Sequence, residues 1–279
     1  GATPMIPVQV GKANIYSVSD GNMTFSRDTF FNGLSQDDWK SYSDYQGSEF
    51  AMNVGSFIIS THESTVLVDT GLGKLDHQIK QPTRETLLPE INEAGFSPED
   101  VDTVFITHLH LDHVGTNMTD TPSGWIPTFP NARYMVSRED WSLFTRLSNS
   151  EAFSYIKQQV QPLMDKGILE LFDGETKVSG EITTLPTPGH TPGHSSLLIS
   201  SEGQKAVIVG DAAHIPPQAQ ETQWSPSPDR DKELSAKSRA MVMDLIEREH
   251  ALLASGHFPS PGFGNLVRVE SKRLYVPLS

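Results

Sequence analysis

The chain has 279 residues, 36% of them hydrophobic and 20% charged, a composition typical of a globular protein that can bury a substantial core. Its formal net charge of −14 disfavours nucleic acid or an anionic membrane as partner, because the mean field repels phosphate. It holds no cysteine, which excludes thiolate metal sites and a disulfide framework, and no apolar run approaches the ~18–20 residues of a membrane span.

The chain begins Gly1-Ala2-Thr3-Pro4 without the apolar run of a signal peptide. Absence of cysteine suits an oxidising compartment but also occurs in cytosolic chains, so the compartment stays open, with a lean to export. No period of ~20–50 residues repeats and no low-complexity linker divides the chain, so residues 1–279 are expected to form one domain.

In chain order, the first notable stretch is Asp20–Gln46, polar and aromatic (Phe25, Phe30, Phe31, Trp39, Tyr42, Tyr45) and without regular periodicity. Such a segment is expected to be irregular, as a lid, a binding loop or a dimer contact. Residues 55–60 and 65–69 read as paired strands about a turn at His62-Glu63. Residues from Thr83 to Ala94 have a helical pattern that Gly95 stops and Pro89 weakens. Ser97-Pro98-Glu99-Asp100 reads as a capped turn leading into a buried strand, Val101–Thr107, which is apolar and β-branched.

Helices are expected over residues 138–147 and 151–165, followed by strands at 168–172, 182–185, 195–200 and 205–209. Ile215–Asp231, with four prolines and Trp224, is the second irregular stretch and is expected beside the active site, like the first. Ala236, Ala240, Met243 and Leu245 or Ile246 fall at helical spacing over residues 235–250, with Ser235 as the expected cap. Residues 251–254 read as the last strand. The result is an α/β chain with strands in both halves.

The chemistry concentrates in His108-Leu109-His110-Leu111-Asp112-His113, three imidazoles and a carboxylate where a strand gives way to a loop. His108 and His110, two apart, reach one metal ion, while Asp112 and His113 point to a neighbouring position. A catalytic ion needs about four ligands with one position left for water, so further donors must come from downstream. His190 in the rigid Thr187-Pro188-Gly189-His190 loop, Asp211 after the strand ending at Gly210, and His257 after residues 252–256 all share that strand-to-loop setting. His62, His77 and His250 stand alone and read as surface histidines.

The His-x-His-x-Asp-His run at 108–113, Thr-Pro-Gly-His at 187–190, Gly-Asp at 210–211, Gly-His at 256–257 and the turn Val68-Asp69-Thr70-Gly71 together resemble the metallo-β-lactamase superfamily. The resemblance spans roughly residues 55–258 and implies a four-layer αβ/βα sandwich with two metal ions at the edge of the sheets. Residue by residue, it implies that His108, His110 and His190 bind the first ion and Asp112, His113 and His257 the second, with Asp211 bridging. It implies two divalent ions, zinc foremost, although Fe, Mn and Co accept the same N/O set. Asp69 then orients a ligand from its turn, and His194, which repeats the Pro-Gly-His context, is a structural histidine outside the ligand set.

Within the superfamily, the segments 191–200, 203–211 and 255–264 are similar to the group of N-acyl homoserine lactonases and methyl parathion hydrolase. About twenty residues follow His257, too few for the helical substrate domain of glyoxalase II-like thioesterases, and the full dinuclear set differs from the single-iron site of persulfide dioxygenases. In the lactonases a tyrosine three residues after the bridging aspartate holds the substrate carbonyl; here that position is His214. The expectation is a dinuclear hydrolase in which a metal-bridging hydroxide attacks a neutral lactone, ester or aryl phosphotriester. In it Asp112 shuttles a proton, Asp211 bridges, and His214 contacts the substrate or leaving group. Phe25, Phe30, Phe31, Trp224, Phe258 and Phe263 are expected to form the apolar pocket. The partner is a small-molecule substrate, with a homodimer open; an iron-dependent oxidoreductase of the same fold and a non-catalytic binding protein are the competing readings.

Overall fold

The computed structural model describes residues 5–75 and 84–279; the expected helix start at Thr83, the N-terminal tetrapeptide and His77 lie outside the described residues. The strands of the first half are β1 (Val8–Val10), β2 (Ala13–Ser26), β3 (Glu49–Ser60), β4 (Thr65–Val68), β5 (Thr103–Phe105), β6 (Met118–Thr121), β7 (Gly124–Pro127), β8 (Arg133–Ser137) and β9 (Leu169–Phe172). Those of the second half are β10 (Lys177–Ser179), β11 (Ile182–Pro186), β12 (Ser195–Ser201), β13 (Gln204–Ile208), β14 (Leu252–Ala254), β15 (Phe263–Val269) and β16 (Lys272–Pro277). They form two seven-stranded sheets, ordered β1-β2-β3-β4-β5-β8-β9 and β10 through β16 in sequence, with β6-β7 a separate hairpin.

The α-helices are α1 (Arg27–Phe30), α2 (Leu87–Glu93), α3 (Leu111–Val114), α4 (Arg138–Leu147), α5 (Tyr155–Gln159), α6 (Gln161–Asp165) and α7 (Lys232–Glu249). Side-chain alternation decides how sheets and helices stack. Val66, Val68, Phe105 and Met135 of the first sheet meet Ile182, Leu197, Ala206, Ile208 and Ala254 of the second in one core between the sheets. Leu67, Val104, Tyr134 and Val136 point the other way, onto Leu87 and Ile91 of α2, Phe144 of α4 and Leu163 of α6. Val207 and Leu253 pack outward against Val242, Met243 and Ile246 of α7. Strands buried on both faces read as near-continuous apolar runs. The layers are therefore helix, sheet, sheet, helix, the αβ/βα sandwich that the resemblance implied. No helix among the described residues is long and apolar enough to cross a membrane.

Several expected boundaries are corrected. Residues 20–26 are not irregular: β2 continues through them past a bulge between Ser19 and Asn22, pairing Met23 with Met52 and Phe25 with Phe50. α2 begins at Leu87, so Pro89 sits in the first turn, where its missing N–H costs no helical bond. The helix expected over 151–165 is broken into a 3-10 turn, α5 and α6, with Val160 off helical geometry (φ −124°) before Pro162. α7 starts three residues before Ser235 and is capped by Asp231, whose carboxylate accepts the Leu234 N–H at 3.0 Å. Residues 252–254 are not the last strand, since β15 and β16 follow as a hairpin. Its turn places Glu270 (φ 50°) and Ser271 (φ 69°) in the left-handed region, where Asn-Gly is usual, so the sequence carried no turn signal.

Residues 27–46 and 215–231 pack on each other as one cap. Trp39, fully buried, lies 4.9 Å from the Trp224 ring and 5.5 Å from Phe31, and the Arg27 guanidinium sits 5.0 Å over its face. The Ser227 N–H donates to Phe30 O at 2.7 Å, and Tyr42 Oη donates to Glu221 at 2.9 Å. Trp39→Ala should cost about 3–5 kcal/mol by leaving a cavity between the two segments. Tyr42→Phe, which removes a half-exposed hydrogen bond, should cost about 1 kcal/mol. Urea midpoints of the two variants check the ordering; equal shifts would mean that the aromatic stack does not hold the cap.

Candidate dinuclear metal centre

Strand direction brings the candidate side chains to one edge. β4 and β5 are parallel, β13 and β14 are parallel, and β11 runs with them because β12 is antiparallel to both β11 and β13. The C-terminal ends of β4, β5, β11, β13 and β14 thus deliver, in turn, Asp69, the 108–113 run, His190, Asp211 and His257 to the same end of the sandwich.

The structure brings together all seven candidate ligands, in two groups sharing Asp211: His108, His110, His190 and Asp211, and Asp112, His113, His257 and Asp211. In each group the donor atoms lie within 4.8 Å of one another. The two oxygens of Asp211 divide between the groups. Oδ2 faces His190 Nε2 at 3.1 Å and His108 Nε2 at 3.4 Å, and Oδ1 faces His257 Nε2 at 3.1 Å and His113 Nε2 at 3.2 Å. Asp112 Oδ2 lies 3.2 Å from His257 Nε2 and 3.3 Å from His113 Nε2, and His110 Nδ1 lies 3.0 Å from His190 Nε2.

The second ring nitrogens show which atoms remain for a ligand. The Nδ1–H groups of His113, His190 and His257 donate to Asp69 (2.7 Å), Asp229 (2.7 Å) and Asn53 O (2.8 Å), leaving each Nε2 turned into the site. His108 Nδ1 lies 2.9 Å from Thr107 Oγ1, which also contacts Asp69 Oδ2 at 2.8 Å. His108 Nε2, His113 Nε2 and Asp211 Oδ1 are buried with no hydrogen-bond partner among the described residues. A buried polar atom left unpaired is costly, so these orphaned donors fit a cation that the chain itself does not supply. An all N/O set of this kind suits Zn, Fe, Mn or Co.

Electrostatics agree. Burial opposes charge on every one of these imidazoles, yet the Asp211 carboxylate, with Asp112 or Asp229, lifts His190 to about 9 and His257 to about 10. His113 is likewise held above the ordinary imidazole range by Asp112, Asp211 and Asp69, against its burial. Burial wins at His108 and His110, reinforced by neighbouring imidazoles, and His110 falls to about 3. Asp112 and Asp211 are held well below the usual carboxylate range: burial would raise them, but His113 and His257 overcome it.

Asp69 and His194 lie outside both groups and brace their members. Asp69 accepts from the Thr107 backbone N–H (2.8 Å), Thr107 Oγ1 and His113. His194 Nε2 accepts the Asp211 backbone N–H at 2.9 Å and fixes the turn that carries the bridging candidate. Gly210 (φ 55°) leaves room for this, since a Cβ there would meet His194 Nε2 at 2.7 Å. His214 lies beside the first group, its Nε2 3.3 Å from Asp211 Oδ2 and its ring stacked on His257 at 5.5 Å.

Other supporting residues carried no local sequence signal. Asp140, buried in the first turn of α4, accepts from Leu109 N (3.0 Å), Thr191 Oγ1 (2.9 Å) and Gly193 N (2.7 Å), tying the two histidine loops together. Burial raises its carboxyl to about 6 against those hydrogen bonds. Tyr155 donates to Leu109 O at 2.6 Å. Arg239 did leave a trace, a charge at i+3 from Ala236 on the apolar stripe of α7, and it is fully buried.

A cavity of about 350 Å³ opens over the site, lined by Met23, Phe25, Phe30, Met52 and Leu111 together with Ser227, Pro228 and His214. The expected pocket aromatics are corrected here. Only Phe25 and Phe30 line it; Phe31 and Trp224 pack behind Phe30, Phe258 faces α7, and Phe263 belongs to the core between the sheets.

The family model described as Metallo-beta-lactamase superfamily matches residues 52–257. An N-acyl homoserine lactonase of Bacillus sp is 26% identical over 226 residues, 76% of this chain and 83% of that protein. The N-acyl homoserine lactonase AttM of Rhizobium radiobacter is 34% identical over 134 residues, 45% of this chain and 46% of that protein. Among solved structures, the hydrolase AbOPH in the beta lactamase superfamily superposes with a TM-score of 0.87 at 23% identity, covering 100% of this chain and 99% of that one. The dizinc quorum-quenching lactonase AidC, in complex with its product, superposes at 0.81 and 22% identity, covering 99% and 98%.

A metal ion entering the site would compete with protons on His113, His190 and His257. All three are held above the unfolded 6.5, so the stability they lend the metal-free chain is complete below 6.5; it is lost as pH rises through about 9 at His190 and about 10 at His257, and above the ordinary imidazole range at His113. Zinc affinity, measured by competition with a chelator, should therefore rise steeply from pH 6 to 8. Calorimetry in buffers of different protonation enthalpy should find about three protons released on full loading. An affinity flat with pH would contradict the proton-filled resting site.

Proposed function

Because the chain belongs to the metallo-beta-lactamase superfamily, we propose that it is a dinuclear metal-dependent hydrolase of neutral lactones or esters, with His108, His110 and His190 as donors to one ion, Asp112, His113 and His257 to the other, and Asp211 to both. The observation that carries this reading is the division of the Asp211 carboxylate, one oxygen toward each group of histidines. Divalent ions held by these residues would supply an acidified water and a Lewis acid for the oxygen of the scissile carbonyl or phosphoryl group.

The chain's own residues bind, orient and move protons around that chemistry. Asp112 stands in the cavity wall. From there its carboxylate can pass a proton from the attacking water to the departing oxygen. His214 is kept neutral chiefly by burial, and its side chain lines the cavity beside the proposed ligands. It supplies a ring nitrogen for the substrate oxygen or the leaving group.

The cavity favours an uncharged substrate with an apolar tail, because among the described residues no charged side chain other than the proposed ligands lines it. A lactone bearing an acyl chain fits Met23, Met52 and Leu111 and accords with the activity named for the Bacillus relative. An aryl phosphotriester is the second reading, favoured by the Phe25–Phe30 pair (5.1 Å), which offers an aryl leaving group a ring to stack on.

Metal analysis, chelation and a panel of N-acyl lactones, aryl esters and phosphotriesters test the proposal. Two ions per chain, loss of hydrolysis on chelation and recovery with zinc are expected, with lactones turned over fastest. His214→Phe should lower kcat about 10²-fold at unchanged metal content. Iron with oxygen consumption and no ester hydrolysis would establish an oxidoreductase instead, and ligand binding without turnover would leave a binding protein.

A further inference from the structure

His190 has a support unlike that of the other histidines. Its Nδ1–H donates to Asp229 Oδ1 at 2.7 Å, and Asp229 Oδ2 accepts from Arg239 Nη2 at 2.9 Å, all three side chains being buried. His257, by contrast, leans on a neutral backbone carbonyl, and His113 shares Asp69 with Thr107.

A buried guanidinium is tolerated only when paired and fully hydrogen-bonded. Arg239 meets that condition by reaching four further groups: Ala212 O (2.7 Å), Thr222 O (2.8 Å), Ser235 Oγ (2.9 Å) and Ser225 Oγ (3.3 Å). One side chain thereby fixes the carboxylate behind His190, the carbonyl next to Asp211, and the 215–231 loop whose Ser227 and Pro228 wall the cavity. The His190 loop is seated on the same helix: Gly189 (φ 136°) is so close that a Cβ would lie 2.2 Å from Ser235 N.

We infer that Asp229 and Arg239 are positioning residues for the first ion, holding His190 with its Nε2 presented to the site and making that position selectively sensitive to their loss. The inference rests on the dinuclear reading. An anionic acceptor behind a ligating imidazole fixes its tautomer and raises its basicity, and loss of such a partner typically weakens metal binding about 10- to 100-fold.

Asp229→Asn, Arg239→Lys and the wild-type chain are loaded with zinc in a chelator competition and with ¹¹³Cd for NMR, thermal melting confirming that each is folded. The wild type should show two bound ions and two cadmium resonances, one for three nitrogens and an oxygen, the other for two and two. In Asp229→Asn one zinc step should weaken about 10- to 100-fold, with loss of the nitrogen-rich cadmium resonance at limiting metal and the other step unchanged. Arg239→Lys should fall between, because lysine can pair with Asp229 but cannot also span Ala212 and Thr222. Folded variants that bind both ions as the wild type does, or that lose both steps equally, overturn the inference. A wild-type chain that takes up fewer than two ions overturns instead the dinuclear reading beneath it.

Discussion

Five imidazole nitrogens stand 3.1–3.4 Å from one buried carboxylate, and the rest of the structure depends on what makes that arrangement bearable. At His113, His190 and His257 the outer nitrogen already donates to a fixed acceptor, so the inner nitrogen of a neutral ring would turn a lone pair toward the lone pairs of Asp211. Lone pairs at such distances repel, and burial removes the water that would separate them. A cation has to stand between them. In the metal-free chain protons do so, which is why these histidines hold theirs well above the usual pKa; in the loaded chain the role passes to metal.

Everything around the carboxylate serves to hold that unfavourable geometry in place. Five strand ends converge on one edge, and the loops leaving them are tied to one another more than to solvent. Asp69 joins the His108 and His113 positions through Thr107, Asp140 joins the loop of Leu109 to that of Gly193, and His194 grips the Asp211 backbone. Gly55 and Gly256 approach so closely that a Cβ on Gly55 would lie 2.7 Å from Gly256 O, which seats His257 directly against β3. The strain of gathering like groups is thus spread over a scaffold of buried, satisfied polar bonds.

The seven gathered side chains were legible in the sequence because each sits where a strand-like run gives way to a loop, a pattern that survives without knowledge of the fold. The resemblance supplied their grouping. Residues that act through backbone groups were not legible: Asp140 resembles any acidic residue opening a helix, and Asp229 any residue of a proline-rich loop. The cap was half legible. Its aromatics were visible, but β2 runs through residues 20–26 by a bulge that no local pattern announces, and pairing with β3 rather than local propensity makes it a strand. The pocket was misread at Phe31, Trp224, Phe258 and Phe263 because an aromatic residue near a site in sequence is more often part of the core behind it.

Under the proposed function, substrate choice lies with the cap and with His214, whereas the reaction lies with the strand ends. The claim beneath both is that Asp211 stands between two cations. Crystals of the loaded chain, with diffraction recorded on both sides of the metal absorption edge, test it most directly. The account predicts two anomalous peaks flanking Asp211, one bounded by His108, His110 and His190 and the other by Asp112, His113 and His257. A single peak, or two that both lie on one side of the carboxylate, would contradict it.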